Sequence, residues 1–152
     1  MHRGKPGSKH HVVVDGRGVP LAVILTQANR HDVTQLLPLI DAIPPLKGRR
    51  GAPRRRPARV YADRAYDSQP HRTELRRRGV ASSIARKRTA HGSGLGKVRW
   101  VVERTFAWLN RFRRLLTSWE RLASTRLALL HFAAALITWR RTHPTTRNEA
   151  TY

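Results

Sequence analysis

Apolar residues in this chain come in two arrangements, and their order limits the fold more than any other feature. Up to about residue 85 they form short runs broken by turn signals; beyond it they recur at helical spacing. Asp15-Gly16-Arg17-Gly18 separates the runs His10–Val14 and Val19–Thr26, which predicts a β-hairpin with a largely buried second strand. Asn29–Asp32 supplies helix-start residues; Leu36, Leu37, Leu39, Ile40 and Ile43 follow at helical spacing until Pro44-Pro45. Ala58–Ala62 reads as a strand ending at Asp63, Gln69–Arg78 as a helix closed by Gly79, and Val80–Ala85 as another strand. Val98–Leu116 reads as one long helix. Val98, Val102, Leu109, Phe112 and Leu116 fall on one stripe of it, with Val101, Trp108 and Leu115 beside them. Glu120–Trp139 reads as a second helix with an Ala/Leu face. An antiparallel hairpin followed by strand–helix–strand units predicts an α/β sheet with helices on its faces, in one domain with one core. Residues 1–141 form that expected domain and 142–152 an expected disordered tail, with Met1–Lys9 a flexible entry and Arg86–Lys97 a mobile loop.

Charge limits the partners. The 152 residues carry 31 Lys plus Arg against 9 Asp plus Glu, a net of +22. Such an excess points to a polyanion, nucleic acid above all. Arg dominates the basic set and suits planar, bidentate phosphate contact. The loop Lys47–Arg59, with Lys47, Arg54, Arg55 and Arg56, is one candidate for phosphate contact. The cluster Arg86–Arg99, with Lys97 and Arg99, is another, and Arg104, Arg111, Arg113 and Arg114 extend it. The four Trp residues read as core or interface residues in preference to base-stacking platforms. No cysteine is present, which excludes disulfides and thiolate metal sites. The most apolar segment, Leu127–Trp139, is too short to span a bilayer. With no signal peptide visible at Met1–His11, a cytoplasmic, nucleoid-associated protein is expected.

Acids are scarce, so each can be weighed. Asp63 directly follows a buried-looking strand, and the C-terminal end of a strand in an α/β sheet is where ligands gather. It could instead cap the turn that follows. Glu103 shares a helix face with Arg99 and Asn110, so it could be a metal ligand or half of a surface ion pair. Together the two carboxylates would supply much of a site for two divalent ions about 3.5–4 Å apart, the arrangement commonly used for phosphoryl transfer on DNA. Mg²⁺ (or Mn²⁺) needs few protein carboxylates, because it keeps waters and substrate phosphates as ligands. Adjacent His10 and His11 point to opposite faces of a strand, and no histidine pair has the spacing of a zinc helix. Gly92–Lys97 follows no strand and lacks Ser or Thr after the Lys, so it is not a nucleotide loop.

Several stretches in order resemble one family: Arg3–His11, Pro20-Leu21-Ala22, Ala28–Asp32, Ala62–Asp67, and Arg99–Leu115 with its Val-Glu-Arg-Thr-Phe-Ala-Trp-Leu core. Together they resemble the C-terminal part of bacterial insertion-sequence DDE transposases of the insertion-sequence-five type, within the insertion-sequence-four-like superfamily. The resemblance implies a ribonuclease-H-like mixed sheet with flanking helices, here lacking its first strand. It implies that Asp63 is the second Asp of the triad, Glu103 the final Glu, and Arg99 the Arg four residues before it. Asn110 stands where that motif has a Lys, and Gly96 where it has a Tyr. The first Asp is expected on a strand upstream of Arg3–Gly7, a central strand beside the one ending at Asp63; Asp15, in the hairpin turn, does not match it. Two origins fit: a decayed fragment, or the second reading frame of an element that makes its enzyme by frameshifting.

The expected function is DNA transposition by metal-dependent cleavage and strand transfer on transposon-end and target duplex. An upstream-frame segment completes the enzyme, which forms a homo-oligomer, and the isolated chain is inactive. The alternatives are a non-catalytic basic DNA-binding fragment that modulates an intact transposase, or a basic RNA-binding protein.

Overall fold

The computed structural model describes residues 7–48, 50–86, 95–116 and 122–143, with the backbone alone at Lys97. Strands β1 (Ser8–Val14) and β2 (Pro20–Gln27) pair antiparallel, as the turn signal predicted. Asp15 builds the turn: its Oδ1 accepts the Arg17 and Val19 N–H groups, and its carbonyl accepts the Gly18 N–H. Gly18 turns through φ +81° and sits tight on the helix α3 (Gly96–Leu109). A Cβ there would stand 3.0 Å from Thr105 Oγ1 and 3.3 Å from the Val101 carbonyl oxygen. Thr105 Oγ1 donates to the Gly18 carbonyl at 2.7 Å, so the hairpin tip is seated on α3 by backbone contact. β2 is less buried than expected: only Pro20 and Val23 are fully covered.

A 3-10 turn (Asp32–Gln35) leads into α1 (Leu36–Asp41), which stops ahead of Pro44-Pro45. β3 (Arg59–Ala62) and β4 (Ala81–Ile84) pair in parallel, joined across α2 (Gln69–Arg77). Gly79, at φ +73°, closes α2: its N–H reaches the Arg76 carbonyl and the Val80 N–H the Leu75 carbonyl. That double bond pattern satisfies two of the helix's last carbonyls, and the left-handed residue it needs is the one the sequence supplies. On α2, Glu74 accepts hydrogen bonds from Arg77 and Arg78, which pull its carboxyl down to about 2.

The long helix expected at Val98–Leu116 is broken. α3 ends at Leu109, and a short α4 (Arg113–Leu116) follows. The Arg111 and Phe112 N–H groups turn back to the Trp108 and Leu109 carbonyls, three residues away, and tighten the chain. Leu109 and Leu115 are six residues apart, which on a straight helix points them about 120° from each other. The break lets both enter one core, where they are 2% and 5% exposed. Consequently the buried stripe of α3 is Val101, Thr105 and Leu109, not the Val98–Val102–Leu116 line, and Leu116 is exposed. α5 (Ala123–Thr142) packs on β2, with Leu130, Ala133, Ala134 and Ile137 buried. It carries helix through Thr142, one residue into the expected tail; 144–152 lie outside the described residues, as does most of the expected mobile loop.

Two expectations about the whole fold need correction. The strands do not form one mixed sheet: among the described residues β1–β2 and β3–β4 are separate two-stranded sheets. The core is likewise double. Val23, Leu109, Leu115, Leu130 and Ile137 form one cluster beneath the hairpin, and Leu36, Ile40, Val60, Leu75, Val80 and Ile84 form the other around the parallel pair. The physical reason is that each pair of strands has its own helices to cover it: α3 and α5 pack on the hairpin, α2 packs on β4, and Leu36 and Ile40 of α1 join Val60, Val80 and Ile84 in the second cluster. α1 also touches β1 and β2 and bridges the two halves. The result is a mixed α/β fold.

Candidate functional site

Asp63 stands at the C-terminal end of β3, exposed, with its Oδ1 accepting the Ala65 N–H at 2.9 Å. It thus caps the 3-10 turn Arg64–Tyr66, which holds the carboxylate at the strand end. The turn itself is tied down at both sides. Asp67 is bound by Arg72 through Nε and Nη2 at 2.9 and 2.8 Å, and the same Nη2 donates to the Ile84 carbonyl at the end of β4. This ion pair is largely shielded, with both side chains 17% exposed, so Arg72 fastens the ends of both parallel strands around Asp63.

Tyr66 connects the turn to the other half of the fold. Its hydroxyl is 3.1 Å from His11 Nδ1, and His11 Nε2 is 2.9 Å from Thr26 Oγ1 on the paired strand. Burial pushes the Tyr66 hydroxyl up to about 12, reinforced by the negative charges of Asp32 and Asp63. Burial also lowers His11, against the opposing pull of Asp32, so the ring stays neutral at ordinary pH. Asp32 in turn is held by Lys9 at 3.0 Å. His10 points the other way, toward Arg126, and is lowered by burial and by that charge. The two histidines do face opposite sides of β1. Sequence reasoning set both aside and missed Tyr66 and Arg72; the only available signal was the placement of Tyr66 and Asp67 immediately after Asp63.

Glu103 lies on the solvent side of α3 and pairs with Arg99 at 2.8 Å, their side chains 61% and 78% exposed. Asn110 is exposed and caps the C-terminus of α3. Arg104 is turned inward to its own helix instead of outward. Its guanidinium lies 4.4 Å from the Trp100 ring centroid and 5.1 Å from that of Trp108, and its Nη2 donates to the Arg17 carbonyl at 2.7 Å. Lys47, Arg54, Arg55 and Arg56 are exposed on the loop before β3, where Leu46 and Arg54 pair by backbone hydrogen bonds. The Lys97 side chain lies outside the described residues. Trp119 does too; of the other Trp residues expected as core or interface, Trp108 packs on the hairpin core while Trp100 and Trp139 are exposed.

Asp63 and Glu103 offer hard oxygen donors of the kind Mg²⁺ or Mn²⁺ takes. Among the described residues no group of three or more His, Asp or Glu is arranged to hold a metal ion. No helix among the described residues is long and apolar enough to cross a membrane.

A mixed α/β fold with an acid at a parallel strand end and another on a long helix agrees with a family match across most of the chain. Residues 2–138 match the family described as Transposase DDE domain, and the chain belongs to it. Over 137 residues, 90% of this chain, it is 62% identical to a Burkholderia cepacia protein provisionally named the transposase for insertion sequence element IS402. Over 117 residues, 70% of this chain, it is 32% identical to the transposase for insertion sequence element IS1106 of Neisseria meningitidis serogroup B. The matched parts amount to 65% and 37% of those two proteins' lengths. No solved structure matches.

Proposed function

We propose that this chain is the C-terminal part of an insertion-sequence transposase catalytic domain with ribonuclease-H-like architecture, and that Asp63 and Glu103 are two of its metal-binding carboxylates. The observation that carries this reading is the family match over residues 2–138 together with Asp63 at the end of β3. When bound, a pair of Mg²⁺ or Mn²⁺ ions would activate the attacking oxygen and stabilise the leaving one in DNA cleavage and strand transfer. The protein's own part is positional: the Ala65 N–H and the Asp67–Arg72 clamp hold Asp63, while Arg99 holds Glu103. Exposed Lys47, Arg54, Arg55 and Arg56, with Arg99, Lys97 and Asn110, supply phosphate contacts that orient transposon-end and target duplex.

The third carboxylate is assigned to a strand N-terminal to Arg3, supplied in the same chain or by an upstream frame. A strand beside β3 would extend the two-stranded sheet β3–β4, and the complete enzyme is proposed to form a homo-oligomer. The test is to express the chain with its upstream segment and measure cleavage of a labelled transposon-end duplex in Mg²⁺ and in Mn²⁺. Asp63→Asn and Glu103→Gln are expected to lower the rate by on the order of 10³-fold or more. Full activity in either variant would remove that residue from the site. The exposed Glu103–Arg99 pair favours one alternative, a basic DNA-binding fragment that modulates an intact transposase. That alternative predicts duplex binding by the extended chain with no metal-dependent cleavage.

A further inference from the structure

The two sides of α5 differ in kind. Leu130, Ala133, Ala134 and Ile137 are buried in the core beneath the hairpin. On the opposite side Thr125, Ala128, Phe132, Ala135, Trp139 and Thr142 follow one another at alternating steps of three and four residues, and all six are exposed. That spacing keeps them in one line along the helix. Phe132 and Trp139 are 62% and 59% exposed, the latter even with the His143 ring stacked on it at 4.0 Å. The line carries no charge. The charged residues of α5 are Arg126, Arg140 and Arg141, and each lies about 100° or more around the helix from the centre of the line. One exposed aromatic is ordinary on a protein surface. An uncharged solvent face holding two of them in line is not, in a chain with 31 Lys plus Arg.

We propose that this face of α5 pairs antiparallel with the same face of a second copy of the chain. The proposal rests on the reading of the complete enzyme as a homo-oligomer and gives that reading a surface. The line is complementary to its own reverse. Laid antiparallel on a copy, it sets Thr125 against Thr142, Ala128 against Trp139 and Phe132 against Ala135. Each aromatic ring then meets an alanine, so large and small side chains interdigitate along a two-fold contact. Parallel pairing would set ring on ring and alanine on alanine, leaving gaps. It would also bring together the Arg140-Arg141 ends of the two helices, which the antiparallel pair holds at opposite ends. Charge favours a second copy on this face. Two chains of net +22 repel over most of their surface, and an uncharged line is where their contact costs least. Nucleic acid does not fit it, because the line holds no cation to meet a phosphate.

The test is sedimentation equilibrium of the full chain from about 1 µM to about 1 mM, the range in which a small interface of one helix pair associates. A monomer–dimer equilibrium is expected. Phe132→Arg is expected to weaken it by at least about tenfold. Thr73→Arg, which adds the same charge at an exposed position of α2, is expected to leave it unchanged. A second measurement reads the register without disturbing Phe132, in a chain that has no cysteine of its own. Ala128→Cys and Trp139→Cys chains, mixed under oxidising conditions, are expected to cross-link to each other and neither to itself. In the antiparallel pair, like positions stand about 16 Å apart along the axis, beyond the reach of a disulfide. A dimer that survives Phe132→Arg, an equal loss in Thr73→Arg, or cross-linking of either chain only to itself overturns the pairing while the homo-oligomer reading stands. A wild-type chain that stays monomeric throughout also overturns it. The chain with its upstream segment then separates the two readings: a dimer there keeps the homo-oligomer through another surface, and a monomer removes it as well.

Discussion

At the scale of single residues, two glycines show how one backbone conformation can carry two different demands. Both have positive φ, but Gly79 has open space around its Cα, whereas Gly18 faces Thr105 and the α3 backbone. Gly79→Ala meets only the conformational penalty of the left-handed region, about 1 kcal/mol. Gly18→Ala adds a clash against the buried Thr105 hydroxyl and is expected to cost more, about 2–3 kcal/mol. Urea midpoints for the two variants check the order; a Gly79 variant as weak as the Gly18 variant would contradict the seating of the turn on α3. Either glycine was readable from the sequence as a turn or helix end. That Gly18 touches α3 was not, because the partner lies 87 positions away.

At the scale of elements, β1 carries a pH dependence. Burial lowers both His10 and His11, one on each face of the strand, so the folded state resists protonation that the unfolded chain accepts below about pH 6.5. The charges of Arg126 and of the neighbouring His11 on the opposite face act on His10, and the groups facing His11 include Asp32, Lys9, Tyr66 and Thr26. Because the folded values are depressed, the full contribution is present above about pH 6.5 and is lost as pH falls through the folded values. Glu74 acts in the same direction further down, losing its contribution between about 4.5 and about 2. Urea midpoints measured at about pH 7.5 and about pH 5 are expected to fall, and His10→Gln to flatten part of that fall. A pH-independent midpoint would show that β1 does not hold these rings neutral. The alternation of side chains along a strand was legible in the sequence, including the opposite directions of the two histidines. The broken helix after Leu109 was not: Asn110-Arg111-Phe112 contains no proline or glycine, and only the shared core of Leu109 and Leu115 required the break.

At the scale of the whole molecule, a net charge of +22 dominates behaviour toward polyanions. Neutralising about six phosphates would lower duplex affinity by roughly 10³-fold between 50 mM and 200 mM salt. A titration across that range checks it, and salt-insensitive binding would remove the electrostatic basis of the proposed DNA contacts. Asp63 and Glu103 belong to the same scale. Each was singled out from its local context, and each has a local partner, the Ala65 N–H for one and Arg99 for the other. Their joint role is a matter of long-range placement, and the proposed upstream strand bears on it directly, since β3 and β1 now belong to different sheets.

What the sequence determined by itself is everything that depends on near neighbours and on composition. The hairpin turn, the closure of α2 at Gly79, the strand ending at Asp63, the i,i+4 pair of Arg99 and Glu103, the excess charge and the family motifs are all short-range or summed properties. Tertiary structure alone decided the division into two sheets and two cores, the seating of Gly18 on Thr105, the bridge from His11 to Tyr66, and the inward turn of Arg104 between two rings. Those depend on which helices cover which strands, and contacts between residues tens of positions apart leave no periodic trace in a single sequence.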